Sequence, residues 1–453
     1  MKTYQDSLNQ KPLDFIFDAI KTYQTSDMYK WAVDGDNYVR QKNTTIMKYK
    51  KLIYDMAGKA VPDNYSANHK TATNFFNRFC TQLTQYLLKN GVSFRNDDTK
   101  EKLGGAGFDK VLKKAGKLAL SEGVAYGFYN LDHIEVFKAS EFVPLYDEET
   151  GALRAGIKFW QLETGKPLRA TYYEEDGFTE YIWEDGQGAI LKDKQSYIQV
   201  VRENYDGLEI LEGKNYPSFP IVPLWSNPEH NPELVGLKEE IDAFDLIKSG
   251  FANDLDDASQ IYWIIQNAGG MEENDLARFI ERIKVNRAVN LDTDQSAEAH
   301  TIEVPYNARE TYLERLENDM YKDAMIVNMD AIASGNTVAT AIRASYEPQD
   351  NKADEFEDCI DDFIEGILSL IGVEDTPSFT RSRIINQAEE TNMILASAQY
   401  LDDETLIRKL PFIEADEVDD ILTKRGLEEY GRYGEGEDGQ TTEGDGEGTP
   451  EDL

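Results

Sequence analysis

Apolar residues along this chain recur at helical spacing in some stretches and alternate in others. Residues 68–90 carry Phe75, Phe76, Phe79, Leu83, Tyr86 and Leu87 on one helical face, stopped by Gly91. Phe108, Val111, Leu112, Ala115, Leu118 and Ala119 form a second such face before Gly123, after which VAYGFYNL and HIEVFK alternate toward strand. Residues 1–67 mix aromatics and Lys with only weak periodicity. From 134 to 225 the runs FVPLY, AGIKFWQL, ATYYEE, TEYIWE, YIQVVRE and LEILEG, parted by turn residues, predict an antiparallel meander. Pro217, Pro220 and Pro223 then predict an extended connector and a boundary near residue 230.

Beyond it, Asn231-Pro232-Glu233 reads as a helix start, with Asn as N-cap and Pro in the first turn. Leu234, Leu237, Ile241, Phe244, Ile247, Phe251 and Leu255 follow at steps of three and four, predicting a helix over 232–258 that packs against a neighbour along its length. QIYWIIQN, NDLARFIERIK, AVNLD and HTIEV predict a small βαββ insert. Residues 308–327 return to helix, with Leu313, Leu316, Met320, Ala324 and Val327 on one side. A small-residue break, Ala333-Ser334-Gly335-Asn336, separates this helix from NTVATAIRASYE, and Pro348 is expected to kink or break the helix that follows. SFTRSRI reads as a strand edge, and 386–400 and 413–429 as two further helices joined by LDDETLIRKLPF.

The 453 residues exceed one typical core, so several domains are expected. The formal charge is −38, from 85 acids against 47 bases, which opposes passive adhesion to nucleic acid or anionic lipid. The Gly- and acid-rich stretch 431–453 reads as disordered yet supplies little of that charge, so the acidity belongs to the folded part. No run matches a membrane span and the start lacks the apolar core of a signal peptide, so the cytosol is the expected place of synthesis and assembly. Two isolated cysteines, Cys80 and Cys359, and four scattered histidines offer no metal-site spacing, and no metal or cofactor is expected. Asp254, Asp256 and Asp257 read as a solvated helix end rather than a cation site. Gly213-Lys214-Asn215 misses the phosphate-loop pattern, and no Ser/His/Asp or Cys/His arrangement can be assembled, so no catalytic residue is assigned.

The order of parts resembles the portal (head-tail connector) proteins of tailed bacteriophages, of the siphophage type common in phages of Gram-positive hosts. The resemblance rests on IVPLWSNPEHNPELVGLKEEIDAFDLIKSGFANDLDD, LARFIERIKVNRAVNLD, ERLENDMYKDA and TLIRKLPFIEADEVDDIL. It implies an α+β, ring-forming portal fold: a wing over 1–230, stem helices over 231–258 and 306–327, and a clip over 259–305. A tunnel loop over 328–337, a long kinked wing helix over 338–377, a helical crown over 378–430 and an acidic tail over 431–453 would complete it. The implied role is a virion protein at one capsid vertex, usually a ring of twelve, that nucleates procapsid assembly and passes double-stranded DNA during packaging and ejection. The implied partners are the terminase large subunit, head-completion or adaptor proteins, and major capsid and scaffolding proteins, with no membrane.

Under that resemblance Ala333, Ser334, Gly335, Asn336 and Thr337 would face DNA. Leu234, Leu237, Ile241, Phe244, Phe251, Leu313, Leu316 and Met320 would pack stem helices of neighbouring subunits together. Glu272, Glu273, Arg278, Arg282, Lys284 and Arg287 would form a docking surface on the clip, although an exposed helix face explains them equally well. The alternative readings are a non-channel capsid or adaptor scaffold and, further off, a metal-dependent nucleic-acid enzyme.

Overall fold

The computed structural model describes residues 2–54, 58–63, 66–184, 186–204, 207–258, 262–266, 296–300, 306–330, 339–382, 391, 394–410, 418 and 421–424. The chain divides into two compact units. One holds residues 1–337 and 341–382, the other 338–340 and 383–453. The larger is an α+β body.

Its N-terminal part is helical, contrary to the weak periodicity of residues 1–67: Tyr4–Leu8, Pro12–Thr25, Asp27–Val39 and Thr44–Lys48. Pro12 opens the second helix, Ser26 accepts from the Tyr29 N–H, and Asn43 caps Thr45 and Ile46. Phe15, Ile16, Ala19, Ile20 and Tyr23 bury one face of Pro12–Thr25 against a five-stranded sheet, meeting Val143, Leu145, Ile157, Tyr181 and Trp183.

That sheet is an antiparallel meander in sequence order: Phe142–Tyr146, Leu153–Trp160, Leu168–Glu174, Gly177–Glu184 and Gln187–Gln195. Its last strand has no counterpart among the predicted runs because its side chains are almost all solvated and carry no alternation. Ile198–Asn204 and Gly207–Lys214 form a separate hairpin. The proline-rich segment is more than a connector. Ile221–Trp225 pairs antiparallel with Val124–Asn130, as the edge of a three-stranded sheet completed by His133–Lys138. Pro223 lies opposite Tyr126 on that edge, where a missing N–H is tolerated.

The main core joins this sheet to the helices Phe75–Leu88, Phe108–Glu122 and Glu347–Leu370. The last lies directly on the strands because glycines leave room for it: a Cβ on Gly127 would sit 2.5 Å from the Phe363 ring, and one on Gly366 2.8 Å from Val222. Pro348 acts as expected. The helix Ala339–Ser345 ends, and Glu347–Leu370 begins after Tyr346 with Pro348 in its first turn. Ser378–Phe379 pairs with Val92–Ser93.

In the smaller unit Asp403–Lys409 is helical, inside the stretch that read as a linker between two helices. Asp402 caps it through the Thr405 N–H at 2.9 Å, and Leu406 and Ile407 are buried. Most of the two helices expected on either side lies outside the described residues. Among the described residues no helix is long and apolar enough to cross a membrane, and no group of metal-binding side chains gathers.

Glu122 closes the Phe108–Glu122 helix fully buried. Its Oε2 accepts the Ser140 N–H at 3.0 Å, while its Oε1 meets no donor among the described residues. Burial outweighs that bond and the nearby Lys138, and pushes its pKa up to about 7. An unfolded glutamate titrates near 4.3, so between those two values the folded state holds the extra proton and stability falls as pH rises. Glu122→Gln keeps the acceptor for Ser140 and removes the ionisation. Urea unfolding should show the variant gaining on the parent from pH 5 to pH 8, by an amount on the order of 3 kcal/mol.

Candidate functional site

The helix Lys238–Ala258 carries an apolar stripe, and beside it a row of Asp245, Ser249 and Asn253, polar and buried at four-residue spacing. Against it runs an extended segment at 66–74, where helical periodicity had placed the start of the next helix. The His69 N–H donates to Asn253 Oδ1 at 2.6 Å, the Thr71 N–H to Ser249 Oγ at 2.9 Å, and the Thr73 N–H to Asp245 Oδ1 at 2.9 Å. The ladder works because two extended residues rise about 6.6 Å while four helical residues rise about 6.0 Å. These hydrogen bonds keep 66–74 out of the helix, which begins only at Phe75. The remaining Asp245 oxygen accepts from Asn43 Nδ2 at 2.8 Å, and Tyr38 donates to Asp242 and, at 3.1 Å, to Asn43 Oδ1. Burial pushes Asp245 above the usual carboxylate range despite these donors.

On the side away from that seam the helix packs along Tyr306–Asp323. Phe251 meets Tyr306 edge-on at 5.7 Å, and Arg309 pairs with Asp254. Asp256 is also partnered, by His69 Nε2 at 2.5 Å, so the acidic helix end is bonded rather than merely solvated. Glu240 lies beside Asp323. Burial first and that like charge second raise its pKa, and its Oε2 meets no donor among the described residues, so a proton shared by the two carboxyls would satisfy it. Between the two helices the strands Tyr262–Gln266 and Ser296–His300 pair antiparallel.

The second helix stops at Asp323, short of the predicted 327. Met325 turns left-handed, with φ 53°, the Ile326 N–H returns to Tyr321 O at 3.0 Å and the Met325 N–H to Lys322 O at 2.9 Å, a Schellman end without its usual glycine. The chain leaving it is clamped. Gln349 Oε1 accepts the Val327 N–H at 3.0 Å, and Gln82 Nε2 donates to Val327 O at 2.8 Å. The Tyr346 hydroxyl reaches Met329 Sδ at 3.9 Å and its ring stacks on Tyr86.

The first helix also begins later than expected, at Lys238 rather than 232. Residues 226–233 instead serve the end of Phe108–Glu122: the Glu233 N–H donates to Leu120 O at 3.2 Å and the Ser226 N–H to Gly123 O at 3.1 Å. Glu233 forms a half-buried pair with Lys352.

The sequence-predicted residues divide accordingly. Leu234, Leu237, Ile241, Phe244 and Met320 are buried in the subunit's own core, with Leu313 and Leu316 packed against it and Phe251 half-buried. For the five buried residues the cover expected from a neighbouring copy is supplied by the same chain. Those five lie in the same core as Phe75, Phe79, Leu120 and Ala324, whereas Phe251, Leu313 and Leu316 keep part of their surface exposed. Ala333, Ser334, Gly335, Asn336 and Thr337 lie outside the described residues, as do Glu272, Glu273, Arg278, Arg282, Lys284 and Arg287. Sequence reasoning missed the seam, although Asp245, Ser249 and Asn253 at i, i+4 and i+8 beside an apolar stripe were its signal.

The model of the family "Phage portal protein, SPP1 Gp6-like" matches residues 28–428. The portal protein of Clostridium phage phiCD119 is 25% identical over 385 residues, spanning 77% of this chain and 83% of that protein. That of Bacillus phage SPP1 is 25% identical over 430 residues, spanning 85% and 81%. A chain from the virion of a native gene transfer agent particle superposes with a TM-score of 0.45 at 12% identity, over 75% of this chain and 90% of that one.

The seam is tested by Ser249→Ala, which leaves the Thr71 N–H without an acceptor. The variant should lose about 1–3 kcal/mol in urea unfolding, with faster amide exchange centred on His69, Thr71 and Thr73. Leu237→Asp, by contrast, should prevent the body from folding at all, read as loss of soluble protein, because it places a charge in the main core.

Proposed function

The chain belongs to the SPP1 Gp6-like family of phage portal proteins, and from that premise we propose that its copies close into a ring, twelve being the family's usual number, around a channel for double-stranded DNA. The observation that carries this reading is the extent of the family match, which runs through both paired helices and the segment between them. In this reading Lys238–Ala258 and Tyr306–Asp323 are the stem, and they pair first within each subunit. Contacts between subunits then fall to outward residues such as Leu255 and Tyr312, both exposed.

The charge suits a conduit. A duplex carries one phosphate charge per about 1.7 Å of axis, and a ring of chains each with a formal −38 overall tends to repel it over a Debye length of roughly 8–10 Å instead of holding it. Ala333, Ser334, Gly335, Asn336 and Thr337 form the DNA-facing loop, small side chains on a permissive backbone. Glu272, Glu273, Arg278, Arg282, Lys284 and Arg287 form the face that docks the terminase and, later, head-completion proteins. Free energy for translocation comes from ATP hydrolysis in the terminase; the ring itself needs no catalytic group, metal or cofactor. Procapsid nucleation through capsid and scaffolding proteins belongs to the same vertex.

A mass measurement with top-view electron micrographs of the purified protein should show rings with a central hole. A monomer under all assembly conditions would refute the ring. Deleting residues 333–336 should leave the rings intact while lowering the DNA packaged or retained per particle; normal filling would count against the loop assignment.

A further inference from the structure

Two oppositely charged faces lie at opposite ends of the helix Phe75–Leu88. Residues 37–54 hold Arg40, Lys42, Lys48, Lys50 and Lys51 and no acid, in a chain where acids outnumber bases 85 to 47. Lys42, Lys48 and Lys50 are exposed and make no ion pair among the described residues. Among them Met47, Tyr49, Leu52 and Tyr54 are exposed, Tyr54 at 77%, and Leu246 adjoins Tyr49. This face is tied to the segment leading into the helix, for Lys70 Nζ donates to Met47 O at 2.7 Å.

The other face is the outer side of Glu347–Leu370, which contains nine acids and one lysine. Asp354 is held by Arg381, while Glu347, Glu355, Asp358, Asp362 and Glu365 are exposed at helical spacing and make no ion pair among the described residues. Burial, with Glu357, Glu365 and Asp358 adding to it, raises the pKa of Asp361 to about 6. The exposed Met325 lies beside this ridge, where Lys352 Nζ bonds the adjacent Ala324 O at 2.9 Å.

Phe75–Leu88 measures the separation. From its first turn to its last, Phe75 meets Phe244, Phe79 meets Tyr321, Gln82 holds Val327, and Tyr86 stacks on Tyr346. The cationic, apolar face therefore belongs to the N-terminal end and the acidic ridge to the C-terminal end, about 20 Å along a 14-residue helix. A subunit with complementary faces at its two ends suits a head-to-tail contact that repeats, the kind that closes rings.

We propose that the face formed by residues 42–54, with Leu246, docks against the acidic outer side of Glu347–Leu370 on a second copy of this chain. This rests on the ring reading above and assigns the contact through which the ring closes. A second copy fits better than nucleic acid as the occupant. The cations are interleaved with exposed Met and Leu, which phosphates do not match, and the same chain carries the complementary ridge.

The test uses two full-length variants, Lys42→Glu/Lys48→Glu/Lys50→Glu and Glu355→Lys/Asp358→Lys/Asp362→Lys, assayed by mass photometry across protein concentration and salt. Each alone should need at least about tenfold more protein for ring assembly. An equimolar mixture should restore the parent's midpoint, since each reversed face then meets a reversed ridge in alternating subunits, which a merely misfolded variant cannot do. Rings that form normally from each variant alone would overturn the assigned surface and leave the ring standing. The assigned surface is equally overturned if assembly is lost and mixing fails to restore it, or if only duplex DNA binding falls. A parent chain that never forms rings would instead overturn the proposed function.

Discussion

The larger unit is organised by three backbone N–H groups that must find acceptors inside the protein. Leaving such a group unpaired where water is excluded costs about 1–3 kcal/mol, and the observed register sets the exposed His69 and the half-buried Thr71 and Thr73 opposite Asn253, Ser249 and Asp245. A slip by one residue would turn the donors away from the helix. This register fixes where Phe75–Leu88 starts, and that helix then meets, in turn, the first paired helix, the second, the chain beyond it and the helix bearing the acidic ridge. A hydrogen-bond requirement thus sets the positions of elements more than two hundred residues apart.

The acid content shapes the rest. Helix Glu347–Leu370 buries Phe356, Ile360, Phe363, Ile364 and Ile367, leaving its nine acids to the outer face and the margins. Arg381 gathers Asp350, Asp354 and Glu357, but one guanidinium cannot offset nine carboxylates, and the pKa of Asp361 rises to about 6 as burial and its acidic neighbours combine. The isolated subunit is therefore electrostatically unfinished along this helix, which is the property a charged neighbour would use.

Much of the fold was legible in hydrophobic period alone. The stripes at 75–88, 108–119 and 356–367, the meander strands and the break before Pro348 all follow from spacing and proline chemistry. The N-terminal helices were missed although Phe15, Ile16, Ala19, Ile20 and Tyr23 keep helical steps, because short capped elements rich in aromatics and Lys dilute the signal. Helix ends at 238 and 323 were misplaced for a tertiary reason: residues 226–233 spend their hydrogen bonds on another helix, and Met325 adopts a left-handed end that sequence assigns to glycine. The apolar stripe from Leu234 to Phe244 shows a wider limit. Periodicity says that a face is covered but not whether the cover is the same chain or another copy, and here it is the same chain.

The candidate site adds a mechanical point. If, as proposed, the segment after Asp330 lies against moving DNA, the force on it would pass to whatever holds its ends. Here the chain leading into that segment is bonded at Val327 by two glutamine side chains, and Met329 rests against Tyr346. Tyr346 in turn stacks on Tyr86, and Pro348 sets the start of a helix anchored by Phe356 and Phe363. Force entering at either end would thus meet the main core within a few residues and spread over a helix of 24 residues. The helix that carries the acidic ridge is the same one that would receive this load, so a neighbour docked on it would share the strain around a ring.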